Sequence, residues 1–78
     1  MTRNYILVKD VPNKFIIPQG FELVIQGSSN DTIYRGTFKQ FYDLVFLVDY
    51  REGKYLYLSS FVKCIAINYF DNLVVITI

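Results

Sequence analysis

The strongest constraint in this sequence is its punctuation. Short apolar, β-rich runs alternate with breaks made of Gly, Pro, Asn, Asp and Ser. Runs of this length suit strands better than helices, which need longer periodic stretches. Tyr5-Ile6-Leu7-Val8 stops at Lys9-Asp10-Val11-Pro12-Asn13, and Lys14-Phe15-Ile16-Ile17 stops at Pro18-Gln19-Gly20. Pro12 and Pro18 bracket the second run. Pro cannot donate to a ladder, so this piece reads as an edge strand or an extended arm. Phe21 to Gln26 is the next strand, closed by the hairpin loop Gly27-Ser28-Ser29-Asn30-Asp31.

Thr32 to Gln40 follows as a strand with Gly36 inside it, and Leu44 to Tyr50 is a continuous apolar strand. Arg51-Glu52-Gly53 separates that strand from Lys54-Tyr55-Leu56-Tyr57-Leu58, which signals a short hairpin. Ser59-Ser60 turns the chain into Phe61 to Ile67, and Asp71-Asn72 turns it into Leu73 to Ile78. Lys39 to Leu44 has some helical spacing, but it is short and lies between strands, so no helix is expected. A glycine inside a strand weakens it unless the chain bends there, so Gly36 is expected to be a structural bend. The expected fold is all-β: a small, strongly bent, five-stranded antiparallel barrel over residues 21–67. An N-terminal β arm over 1–20 and a C-terminal strand over 68–78 complete a single domain.

Composition excludes several chemistries. The chain has 78 residues, 53% of them hydrophobic, with seven Tyr and seven Phe. That is too apolar for a disordered chain and too short for the large enzyme scaffolds. Its formal net charge is +1, so no global field draws in nucleic acid or an anionic membrane. There is no His, no Trp and one Cys. A Cys/His zinc site and a His-dependent nucleophile system are therefore absent from one chain. No cofactor and no enzymatic activity are expected. Cys64 has no partner for an intrachain disulfide, which suits a reducing cytoplasm. The apolar run Leu73 to Ile78 is too short to cross a bilayer, so no membrane contact is expected.

The order of strands and the glycine in the second strand resemble the Sm-like and Hfq-like small barrels. The run Gly36-Thr37-Phe38-Lys39-Gln40-Phe41, within Ile33 to Val48, is similar to that family's first motif. Leu56-Tyr57-Leu58-Ser59-Ser60-Phe61-Val62-Lys63-Cys64-Ile65 resembles the strand, break and strand of its second. The family's RNA-gripping side chains are mostly replaced. Phe46 stands where Sm proteins commonly carry Asn, Tyr42 and Asp43 fill the corner of their Asp, and Ser59-Ser60 fills the place of their Arg-Gly pair. Of Hfq's Tyr-Lys-His run only Tyr57 survives, in Tyr57-Leu58-Ser59.

Individual residues carry two readings each. Tyr55 and Tyr57 share one face of their expected strand, either to stack on bases or to cover the barrel or an oligomer interface. Lys39, Arg51, Lys54 and Lys63 either line a phosphate path or are simply solvated. Asp43 and Asp49 read as flanks of the third strand rather than as an acid–base pair, and Cys64 reads as a small core residue. Ring closure in the family joins the fourth strand of one subunit to the fifth of the next. The resemblance thus implies a closed homo-oligomer whose interface is Tyr55, Tyr57, Phe61, Ile65 and Ile67.

Three functions follow as expectations. The first is a homo-oligomer that binds RNA or another single-stranded nucleic acid through tyrosines and scattered basic residues. The second is a structural or regulatory protein–protein module, such as a small inhibitor from a mobile element, that kept the barrel and lost RNA binding. The third is an oligomer that captures a nucleotide or other small ligand.

Overall fold

The computed structural model describes residues 6–47 and 53–78. Two hairpins make its sheet. Strand β1 (Glu22–Gln26) pairs antiparallel with β2 (Thr32–Thr37), and β3 (Cys64–Asn68) pairs antiparallel with β4 (Leu73–Thr77). The hairpins join through a parallel pairing of β1 with β4, which gives the order β2-β1-β4-β3. Both turns rest on asparagine. Asn30 and Asn72 adopt positive φ, a conformation Asn tolerates better than most residues. The Asn68 Oδ1 accepts hydrogen bonds from the N–H groups of Phe70 and Asp71, tightening the β3–β4 turn.

Parallel neighbours need a long crossover, and residues 38–63 supply it. Helix α2 (Phe38–Leu47) leaves β2 directly, and a 3-10 helix (Gly53–Ser59) leads towards β3. The start of α2 is fixed by a reciprocal cap. The Thr37 N–H donates to Gln40 Oε1 at 2.9 Å, and the Gln40 N–H donates to Thr37 Oγ1 at 3.1 Å. Upstream, Ile6–Val8 lies antiparallel to Ser60–Val62 through Val8 N–H to Ser60 O and Val62 N–H to Ile6 O. A 3-10 turn (Val8–Asp10) and the short helix α1 (Val11–Lys14) follow.

Burial alternates along β1 and β4, so one face of the sheet is core and the other is open. Leu23, Ile25, Val74 and Ile76 are fully buried on the core face. Val8, Val11, Phe41 and Leu58 are equally buried in the same cluster. Val24 and Val75, on the opposite face, are only half-buried.

Several expectations are corrected here. The sheet is open, with β2 and β3 at its edges, so no closed barrel is seen, and its central pairing is parallel. The expected strand Leu44 to Tyr50 is helical up to Leu47; its last residues, 48–50, lie outside the described set. The reason is the Thr37–Gln40 cap together with the i, i+3, i+7 spacing of Phe38, Phe41 and Val45, which all pack into the core. The expected strand Lys54 to Leu58 is a 3-10 helix, whose three-residue turn puts Tyr55 and Leu58 in line against the core. The bracketed run Lys14 to Ile17 is no strand: Lys14 ends α1, with Pro12 in that helix's first turn, where its missing N–H is harmless. Of the strand expected over Phe61 to Ile67, β3 keeps only the part from Cys64.

Gly36 sits within a regular strand without a positive φ. A side chain there would meet Gln40 Oε1 and the Tyr34 hydroxyl, each 2.8 Å from the Cβ position. The glycine therefore makes room for the cap of α2 and for the ring of Tyr34. Gly36→Val is expected to destabilise the protein by about 1–3 kcal/mol in urea unfolding, as overpacking does. Leu58→Ala, in the 3-10 helix, is expected to lose about 2–5 kcal/mol, whereas Ile16→Ala, at a site 98% exposed, changes stability by less than about 0.5 kcal/mol. Equal effects of these two alanine substitutions would contradict the burial pattern.

Candidate functional site

The residues singled out in the sequence do not share a surface. Tyr55 and Tyr57 are half-buried and pack against the core. Tyr57 stacks on Tyr34, with ring centroids 6.5 Å apart and planes at 24°, and Tyr34 in turn leans on Phe41. These rings tie the 3-10 helix to β2 and α2. Burial, reinforced by the neighbouring hydroxyls of Tyr34 and Tyr55, pushes the Tyr57 phenol up to about 12. Burial raises that of Tyr34 as well.

The basic residues are dispersed. Lys39 lies in the first turn of α2, where its N–H reaches Gln19 O, at the sheet end holding Thr37, Glu22 and Asn72. Lys63 lies at the opposite end, its N–H bonded to Thr77 O. The two positions are separated by a strand's length, roughly 17 Å at 3.3 Å per residue. Arg51, with Asp49 and Tyr50, lies outside the described residues, and Lys54 is placed only by its backbone in the 3-10 helix. Arg35 pairs with Glu22 across the β1–β2 ladder on the exposed face.

Of the expected interface, Ile65 and Ile67 are half-buried on the core face of β3, and Phe61 is exposed beside Leu7. Cys64 is a correction. It is exposed on the open face, because strand alternation that turns Ile65 and Ile67 inward turns Cys64 and Ala66 outward. Among the described residues no cluster of metal-ligating side chains occurs. None of the described helices is long and apolar enough to cross a membrane.

Sequence reasoning missed the outer face of α2. Phe38, Phe41 and Val45 pack inward, but the apolar arc continues past them onto Tyr42 and Phe46. The Tyr42 and Phe46 rings lie 4.8 Å apart, one helical turn from each other. Phe46 is 64% exposed and Leu47 84% exposed. Lys39 and Asp43, both exposed on the same helix, supply polar neighbours to this patch. Its signal was present in the sequence as Thr37-Phe38-Lys39-Gln40, a capping box ahead of an apolar run.

Comparison with protein-family models, curated proteins and solved structures gives no match in any of the three.

The raised phenols make stability depend on alkaline pH. The unfolded Tyr57 ionises near pH 10, while the folded one stays neutral up to about 12. The stabilisation is therefore fully present below pH 10 and is lost as pH rises from about 10 to 12. Urea midpoints across that range are expected to fall, and Tyr57→Phe to flatten the fall. A flat profile in the parent protein would contradict the packing of Tyr57.

Proposed function

We propose that this protein is a non-enzymatic interaction module that contacts a partner protein through the outer face of α2. The observation that carries this reading is the exposed Tyr42–Phe46 pair beside Leu47. The two aromatics, in contact with each other and left partly in water, with Leu47 exposed at the helix end, have the composition found at interface centres. Lys39 and Asp43 supply a polar rim of both signs. Such a module needs neither a cofactor nor a catalytic side chain.

The Sm-like resemblance suggests a nucleic-acid reading instead, which asks for aromatic and basic side chains on one face. Tyr55 and Tyr57 are engaged with the core, and Lys39 and Lys63 stand at opposite ends of the sheet. The protein-contact reading is therefore preferred.

The test is a quantitative pull-down from host extract with three proteins: the parent, Tyr42→Ser/Phe46→Ser and the control Ile16→Ser. Loss of hot-spot aromatics weakens binding by 2 kcal/mol or more, about thirty-fold. Captured protein is expected with the parent and the control and to be lost with the double variant. Equal capture by all three, or co-purifying nucleic acid that is released by salt, would overturn the reading.

A further inference from the structure

The geometry points to a second interaction surface, the outer edge of β3 at Ile65 to Ile67, beyond the stretch that Ile6–Val8 covers, and to a second copy of this chain as its occupant. The hydrogen bonds fix which backbone groups face outward. Glu22 N–H donates to Asn72 O and Ile78 N–H donates to Gln26 O, so Val74 and Ile76 turn their backbone groups towards β1. Leu73, Val75 and Thr77 then turn theirs towards β3, where their partners are Asn68, Ala66 and Cys64. Ile65 and Ile67 are left with N–H and C=O groups pointing away from the sheet, and no described residue pairs with them.

Natural edges are normally guarded by charge, Pro, bulges or a covering element. The other edge is guarded in this way: β2 carries Arg35 in an ion pair, its register shifts between Ile25 and Gln26, and α2 follows at once. Strand β3 itself reads Cys64-Ile65-Ala66-Ile67-Asn68, with no charge, no Pro and no Gly. Its guards lie just before it, where Lys63 N–H also reaches Thr77 O, an offset of the bulge kind, and Ile6–Val8 covers the same side of Ser60–Val62.

The sequence of β3 is also self-complementary. A two-fold axis at Ala66 sets Ala66 opposite its own copy, Ile65 opposite the second copy's Ile67 and Cys64 opposite its Asn68. Residues 65 and 67 of both copies then exchange all their outward N–H and C=O groups. The close, non-hydrogen-bonded pair falls on Ala66, the smallest side chain of the strand. Both isoleucine pairs lie on the core face, extending the apolar layer across the axis, whereas a one-residue slip would set them opposite the open-face residues Cys64, Ala66 or Asn68. The antiparallel arrangement also brings Lys63, just before β3, towards the Asp71 turn of the other copy, just after it. No like charges oppose each other within the paired strands.

Two measurements test this. Mass in solution at micromolar concentration is expected to be twice the 9.2 kDa of the chain. Ile67→Pro removes only an outward N–H and leaves the β3–β4 ladder intact, so it is expected to give a folded monomer. Independently, Ala66→Cys in a Cys64→Ser background is expected to form an intermolecular disulfide on mild oxidation, because opposed residues at a close pair lie about 4.5 Å apart. The parent Cys64, set opposite Asn68, is expected not to cross-link. A parent that is monomeric at micromolar concentration, whatever fills its edge, would overturn the proposal. So would a folded Ile67→Pro dimer, or failure of the Ala66→Cys cross-link. The α2 double variant leaves the dimer unchanged, so this proposal and the α2 reading fail separately.

Discussion

The fold depends on the parallel pairing of β1 with β4. Each hairpin could form from local turns, but a two-stranded hairpin alone is marginal in water. Their union brings Leu23 and Ile25 beside Val74 and Ile76, and all four are fully buried. These side chains form the floor on which α2 and the 3-10 helix lie. Because the paired residues are far apart in sequence, this contact also demands the long crossover that occupies the middle of the chain.

That crossover determines what the surface offers. One face of the sheet is covered by Phe38, Phe41, Leu58, Val8 and Val11, and the other stays open with Val24, Val75, Ala66 and Cys64. The apolar residues exceed what a single-faced core can hold. The excess emerges on the outer turn of α2 at Tyr42, Phe46 and Leu47, in the β3–β4 turn at Tyr69 and Phe70, and singly at Ile16, Ile33, Leu56 and Phe61. A chain of this size has a thin core and no disulfide, so contacts that cover these side chains would add stability as well as function.

The sequence revealed the hairpins well and the crossover poorly. Turn chemistry at Gly27–Asp31 and at Asp71-Asn72 marked both hairpins, and the β-rich run Phe21 to Gln26 marked the first strand. The β4 strand was legible as a short apolar run, though not its place beside β1, since parallel pairing leaves no local mark. Between Thr37 and Leu58, β-rich composition masked helical spacing. Tyr, Phe, Val and Leu favour strands, a preference that tertiary context overrides in α2 and the 3-10 helix. The capping box at Thr37 and Gln40 was the cue that would have reversed that reading. The tyrosines followed the same course: their number was plain, but only the stacking of Tyr57 on Tyr34 shows them as packing residues.

The most direct measurement of this architecture is a solution NMR map of interstrand contacts and amide protection. Cross-strand contacts are expected between Val24 and Val75 in parallel register, with the amides of Glu22, Val24, Val74 and Ile76 among the slowest to exchange. Helical contacts are expected from Phe38 to Leu47. Strand-type contacts along Lys54 to Leu58, with none between β1 and β4, would instead describe a closed barrel and contradict the open sheet.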